Sequence, residues 1–161
     1  MTVIAYRAGV LAADTLISYN SYTNGSRNKI VRCGDYHVAL AGEAWLKIVI
    51  EQWVEGGADS RKVPKILLKN ESKFTSFLMD DFGTLFTFDN GQLLPVDAEY
   101  AAIGSGGHMA LGAMAHGATA IEAVRAACLH DKSSGGDITH IAARIEFASS
   151  AVPGAVTRVL N

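Results

Sequence analysis

MTVIAYRAGVLAAD, residues 1–14, begins the chain with two short apolar runs on either side of Arg7-Ala8-Gly9. Residues 3–6 and 10–13 are rich in β-branched and small apolar side chains, which is typical of strands. Glycine readily adopts the positive φ angles that tight hairpin turns require. The stretch therefore predicts a buried β-hairpin at the start of the fold.

Thr2 leads into this hairpin. If Met1 is removed, Thr2 carries both a hydroxyl nucleophile and a free amine. An α-amino group has a pKa of about 7.7–8.0, so it can accept the hydroxyl proton near neutral pH. Taken alone, Thr2 is simply the residue after the initiator methionine, and a catalytic role depends on what else the chain contains.

Composition favours one globular domain spanning residues 1–161. The net charge of −2 and the scattered Lys and Arg residues argue against a nucleic-acid partner. Cys33 and Cys128 do not form a disulfide scaffold and fit a reducing compartment. No apolar run approaches the roughly 20 residues of a membrane span, and Arg7 interrupts the apolar start. We therefore expect a soluble cytoplasmic protein without a signal peptide or membrane contact.

Patterns farther along the chain alternate between strands and helices. Polar residues at 18–28 indicate a loop, with a turn at Asn24-Gly25-Ser26. Further strands are predicted over residues 29–32, 37–41, 74–79, 84–88, 92–96, 100–103, 138–147 and 155–160. Helices are predicted over residues 43–54, 60–68, 109–115 and 119–130.

Local signals support several of these helices. Ala44, Ile48 and Trp53 recur at near-helical spacing in the first helix, and Pro64 breaks the second. Thr119 and Glu122 form a capping-box pattern at the start of the last. Two helical pairs with antiparallel hairpins between them predict an α+β fold in which helices flank sheets, rather than a doubly wound parallel sheet.

Six short motifs follow one another in a distinctive order. They are Thr2, GVLAAD at 9–14, Lys29 before a strand, LAG at 40–42, IGSGG at 103–107, and Asp131 with SGG at 134–136. Together they resemble the N-terminal-nucleophile (Ntn) hydrolases of the proteasome β-subunit family, and the nearest likeness is the bacterial HslV-type peptidase. The resemblance spans nearly the whole chain and implies a four-layer α-β-β-α sandwich of two antiparallel sheets flanked by helices.

The resemblance implies a threonine endopeptidase. Thr2 would attack the scissile carbonyl with its own amine as base. Lys29 would favour the deprotonated nucleophile, and Asp14 would orient Lys29. The backbone N–H of Gly42 would stabilise the oxyanion. The residues that would hydrogen-bond around the amine and the nucleophile are Ser105, Asp131 and Ser134.

Residues transferred by position would also form a substrate pocket and a cation site. The pocket walls would be Ile17, Arg27, Val31, Leu40 and Ala44, whose mixed character predicts no cleavage preference. No cofactor is required. A structural monovalent or divalent cation would bind backbone carbonyls of His130, Ser133 and Gly136. The short turn at 7–9 and the abbreviated section after Gly56 depart from the family pattern.

The family also implies a homo-oligomeric ring that acts on peptides or unfolded proteins, with a separate ATP-dependent unfoldase as partner. The alternative is a silent structural or regulatory ring subunit that retains Met1. Gly104-Ser105-Gly106 fits neither a nucleotide-binding loop, which needs glycine at Met109, nor a hydrolase elbow, which needs glycine at Ile103. Cys128 in a small-residue helix favours core packing over a thiol or metal site, and the five histidines lack zinc spacing.

Overall fold

The computed structural model describes residues 2–19, 22–68 and 74–144, and these form antiparallel sheets and helices. The first strands are β1 (Val3–Arg7), β2 (Val10–Asp14), β3 (Leu16–Tyr19), β4 (Tyr22–Ser26), β5 (Ile30–Cys33) and β6 (Tyr36–Gly42). The later strands are β7 (Phe74–Asp80), β8 (Leu85–Asp89), β9 (Gln92–Pro95), β10 (Tyr100–Gly104) and β11 (Ile138–Ala142). The helices are α1 (Ala44–Glu55), α2 (Gly107–Ala115) and α3 (Ala120–His130).

The opening stretch forms the predicted hairpin at the centre of one sheet. Ala8 and Gly9 both have positive φ angles, 49° and 75°, which suits a two-residue hairpin turn. The four-stranded sheet has the order β10-β1-β2-β11, and the five-stranded sheet has the order β5-β6-β7-β8-β9. All neighbouring strands are antiparallel.

Three apolar clusters show how these elements stack. Val3 and Ala5 face α2 and α3 in one cluster. Ile4, between them, packs against residues of the five-stranded sheet in the second. The third lies between the five-stranded sheet and α1. Because alternate residues of a strand point to opposite faces, one hairpin serves two of these clusters. The layer order is compatible with the predicted helix–sheet–sheet–helix sandwich.

The polar segment at 18–28 is the main error in the predicted elements. It contributes to the pair β3–β4, which forms a separate two-stranded sheet with an irregularity between Ile17 and Ser18. The chain therefore has a third antiparallel sheet in its described part, and Asn24-Gly25-Ser26 lies within β4 rather than in a turn. Polar residues concealed these strands because they lack the apolar alternation from which a strand is predicted.

The first helical section also differs from the prediction. The helix over 60–68 is two short 3-10 segments, Ser60–Lys62 and Lys65–Leu68, on either side of Pro64. In α1 the buried apolar residues are Leu46, Ile50, Trp53 and Val54, whereas Ala44 and Ile48 are exposed. The predicted capping box at Thr119 and Glu122 is present. The strand predicted over 138–147 ends at Ala142, and the one over 155–160 lies outside the described residues.

None of the helices in the described ranges combines the length and the apolar character needed to cross a membrane.

Candidate active site

Thr2 is buried at the point where the central strand β1 begins, beside the turn from β10 to α2. Its N–H donates to Ser105 Oγ at 3.3 Å, and its carbonyl accepts from the N–H of Gly106 at 3.4 Å. Gly104 makes this approach possible. Its φ is +92°, and a Cβ there would lie 2.1 Å from the carbonyl oxygen of Thr2. The Gly-Ser-Gly sequence therefore fixes where the backbone of Thr2 lies.

Ser105 connects Thr2 to the loop that follows α3. Its hydroxyl donates to Asp131 Oδ2 at 2.7 Å, and Ser134 Oγ donates to the same oxygen at 2.7 Å. The N–H of Ser133 donates to Asp131 Oδ1 at 3.0 Å. The hydroxyl proton of Ser105 bonds the carboxylate, so its oxygen remains an acceptor for the Thr2 nitrogen. Residues distant in sequence thus form one hydrogen-bonded chain that ends at that nitrogen.

Asp131 is the charged member of this chain. Partial burial raises its pKa, but the hydrogen bonds from Ser105, Ser134 and the Ser133 N–H outweigh that effect, and the net pKa lies below its usual value. The carboxylate is therefore ionised at neutral pH. A negative charge one hydroxyl away from the Thr2 nitrogen favours any positive charge that develops there.

Asp14 and Lys29 form a buried ion pair next to Thr2. Asp14 ends β2 and is fully buried, and Lys29 Nζ donates to its Oδ1 at 2.7 Å. Asp14 also accepts from two backbone N–H groups, Val3 to Oδ1 at 2.9 Å and Gly135 to Oδ2 at 3.0 Å. Hydrogen bonds to the carboxylate of Asp14 therefore connect the start of β1, Lys29 and the loop after α3.

Burial lowers the pKa of Lys29. Removal from water lowers the pKa of its ammonium, and the hydrogen bond and charge of Asp14 oppose this without cancelling it. The pKa of Lys29 thus lies below 10.5. A lysine in this condition is a compact cation that can also give up its proton more easily than a surface lysine.

Lys47 and Gly135 support the ion pair, and the sequence patterns did not single either out for this. Lys47 faces inward from α1, and its Nζ donates to the carbonyls of Asn28 at 3.3 Å and Lys29 at 3.1 Å. The carbonyl of Gly135 accepts from the N–H groups of Thr15 and Leu16. A lysine between apolar Leu46 and Ile48 in a predicted helix was the available signal for Lys47, and SGG was the signal for Gly135.

Gly42 ends β6 close to Thr2. A Cβ on Gly104 would lie 3.5 Å from the side chain of Ala41 as well as against the Thr2 carbonyl, so the end of β6 lies close to Thr2. The φ of Gly42 is +150°, which L side chains rarely adopt. The role of its N–H as oxyanion donor stays a prediction.

The predicted pocket residues divide into two groups. Leu40 and Val31 pack in the cluster between α1 and the five-stranded sheet. Arg27 and Ala44 are exposed, and Ile17 is half-buried on β3. The N–H of Arg27 donates to the carbonyl of Thr15 at 2.8 Å, next to the ion-pair residue Asp14.

Cys128 lies near the same charges but has the properties of a core residue. It packs against the α2–α3 cluster, and burial together with the carboxylate of Asp14 raises the pKa of its thiol to about 11. Within the described ranges, no group of three or more His, Cys, Asp or Glu side chains could hold a metal ion. His130, Ser133 and Gly136 lie at the end of α3 and in the loop beyond it, where only backbone oxygens would serve as the predicted ligands.

Comparison with solved structures finds the same fold in BPH of Thiobacillus denitrificans. One structure of BPH has a TM-score of 0.64 at 20% identity, covering 87% of this chain and 95% of that chain. BPH in complex with epoxomicin also has a TM-score of 0.64, at 21% identity, covering 87% of this chain and 96% of that one. At this identity the likeness establishes the fold alone. No protein-family model and no curated protein matches the chain.

Proposed function

We propose that this chain is a threonine endopeptidase of the proteasome-like Ntn type, similar to HslV, with Thr2 as nucleophile after Met1 is removed. The observation that supports this most strongly is the convergence on Thr2. The Ser105–Asp131–Ser134 chain reaches its nitrogen, and the Asp14–Lys29 pair is bonded to the next residue, Val3. The shared fold with a protein that binds epoxomicin, a proteasome inhibitor, gives further support.

In the proposed mechanism, each group either transfers a proton or stabilises a charge. The Thr2 amine takes the hydroxyl proton as Oγ attacks the scissile carbonyl, and the resulting ammonium is stabilised by Asp131 through Ser105. Lys29 stabilises the developing charge on Oγ, and the N–H of Gly42 binds the oxyanion. The ammonium then protonates the departing amine, which leaves an ester on Thr2. Water hydrolyses that ester and restores the enzyme.

Met1 controls this mechanism. A Met1–Thr2 peptide bond would turn the base into a non-basic amide, so the chain with Met1 is a latent form. We further propose the assembly implied by the resemblance, a cytoplasmic homo-oligomeric ring that receives unfolded chains from a separate ATP-dependent unfoldase. The proposal includes a cation on the carbonyls of His130, Ser133 and Gly136, since hard oxygen ligands suit alkali and alkaline-earth ions. It would brace the loop that bears Asp131.

Fluorogenic peptide hydrolysis tests the proposal. Protein whose Thr2 terminus is verified by mass spectrometry should hydrolyse the peptide, Thr2→Ser should retain part of the rate, and Thr2→Ala should retain none. Lys29→Ala should lose at least roughly 100-fold, the usual effect of removing a positioned electrostatic group. Circular dichroism should show each variant folded. Equal turnover by wild type and Thr2→Ala would contradict the proposal.

A further inference from the structure

An open groove lies next to Thr2, along the free edge of β10. Ala102, Ile103 and Gly104 of β10 line it, together with Gly107, His108 and Leu111 of α2 and Thr75 of β7. The cavity measures about 240 Å³. The mechanism proposed above uses none of its walls except the turn at Gly104.

The edge of β10 is available for pairing. One side of the strand bonds to β1 from Tyr100 to Gly104, and no other strand in the described ranges pairs with its opposite side. Such an edge presents unpaired N–H and C=O groups, which an extended peptide can bond as an added strand. A groove between an edge strand and a helix also provides a pocket for alternate side chains.

Gly104 connects the groove to the nucleophile. It lines the cavity, and the Thr2 carbonyl lies against it. A substrate peptide that extends from Thr2 along β10, from Gly104 toward Tyr100, runs antiparallel to the strand. Antiparallel strands can form regular hydrogen bonds. The three cavity-lining residues of β10 span roughly 10 Å, which is three or four residues of an extended substrate.

We propose that this groove binds the part of the substrate on the C-terminal side of the scissile bond, as an added antiparallel strand on β10. The inference rests on the proposed peptidase function and adds a binding site for the leaving segment. Hydrogen bonds between the backbones of β10 and the substrate would bind a peptide of any sequence. The lining combines the apolar side chains of Ala102, Ile103 and Leu111 with the polar side chains of Thr75 and His108, so it sets no strong preference for one type of side chain.

A substrate series provides the first test. The probe is an internally quenched peptide with leucine before the scissile bond and Ala-Val-Ala-Val after it, with single N-methyl groups placed at each of the last four residues. N-methylation should lower kcat/KM by roughly fivefold at alternate positions only, since each such change removes one hydrogen bond. Equal effects at all four positions, or none, would overturn the pairing.

A variant provides the second test. Thr75→Trp fills the groove from β7, and the matched control Thr84→Trp alters an exposed threonine at the far end of the same hairpin. Thr75→Trp should lower kcat/KM at least tenfold for the quenched peptide. It should leave the rate unchanged for a leucine aminomethylcoumarin amide, which has no residues beyond the bond. Loss on both substrates, or on neither, would contradict the proposal.

Binding without turnover separates this inference from the catalytic one. The fluorescent peptide Ala-Val-Ala-Val, used with the Thr2→Ala protein, should bind and lose affinity on addition of the Thr75→Trp change but not Thr84→Trp. If wild type hydrolyses the coumarin substrate and this peptide fails to bind, the groove assignment is wrong and the peptidase stands. If the peptide binds and no substrate is hydrolysed, the groove stands and the proposed catalytic mechanism is wrong.

Discussion

The two groups of residues around Thr2 stabilise charge by different means. Asp14 and Lys29 are buried between strands, and desolvation dominates the pKa of the lysine. In the second group Ser105 is exposed and Asp131 is half-buried, whereas Ser134 is buried. Burial raises the pKa of Asp131, but its hydrogen bonds together outweigh that effect and lower the pKa. The first group resembles a piece of the core, whereas the second resembles a surface network. Mutations should therefore affect stability mainly in the first group.

The largest effect on stability is expected from Asp14→Ala. This change leaves the Lys29 ammonium buried without its carboxylate and frees the N–H groups of Val3 and Gly135. Breaking a buried pair in this way costs about 3–5 kcal/mol. Asp131→Ala should cost about 1 kcal/mol, because water can replace its hydrogen bonds. Urea unfolding of both variants measures the difference, and an equal loss would contradict the contrast between the two groups.

Gly104→Ala should have the next largest effect. Gly104 and Gly117 have almost the same φ, +92° and +95°, but a Cβ at Gly117 would meet nothing within 4 Å. Both substitutions bring the backbone strain of a positive φ, about 1 kcal/mol, and only Gly104→Ala adds a clash with Thr2.

Peptide hydrolysis and urea unfolding should be measured on both glycine variants. Gly117→Ala should keep full hydrolysis, whereas Gly104→Ala should lose both further stability and most activity. Matching behaviour of the two would show that the position of Thr2 does not depend on Gly104.

The two groups should affect the pH dependence of stability in different ranges, Lys29 at alkaline pH and Asp131 at acid pH. Lys29 has a lowered pKa when folded, so between that value and 10.5 the unfolded chain binds more protons and stability rises with pH. Asp131 also has a lowered pKa, so its contribution is full above 3.8 and is lost as pH falls through the folded value.

Single variants should each reduce one of these pH effects. Lys29→Met should reduce the alkaline rise, and the part that remains comes from Lys47, whose pKa burial also lowers. Asp131→Asn should reduce the acid loss, in unfolding curves collected from pH 2 to pH 11, and the rest comes from carboxylates such as Asp81, whose pKa the hydrogen bond from Arg32 lowers. If Lys29→Met leaves the alkaline limb unchanged, desolvation of Lys29 is not its source.

The smallest effect is expected from the two thiols. Burial raises the pKa of Cys33 and of Cys128 to about 11, so little thiolate exists at neutral pH. Alkylation by iodoacetamide should be slow at pH 7.5 and accelerate with pH, and Cys128→Ala should keep peptidase activity. Rapid labelling of Cys128 at pH 7.5 with loss of activity would contradict the core-packing interpretation and favour a thiol site.

Local sequence patterns predicted the hairpins and the capped helix α3, because periodicity and turn residues determine them. They missed β3 and β4, whose polar residues at 18–28 give no alternation. They also misplaced the buried face of α1, since Ile48 is as apolar as Ile50 and only packing distinguishes them. The motifs selected Asp14, Lys29, Ser105 and Asp131, but their three-dimensional contacts are not encoded in spacing. Nothing in the sequence indicated the clash that only glycine at 104 avoids.

The central claim is that Thr2 with a free amine is the nucleophile. The most direct measurement is a titration of protein with a verified Thr2 terminus against an epoxyketone peptide, followed by peptide mass spectrometry. We predict one adduct per chain on Thr2, and no adduct on the Met1-containing form or on Thr2→Ala. An unmodified Thr2, in protein that demonstrably lacks Met1, would contradict the account and favour the structural ring subunit.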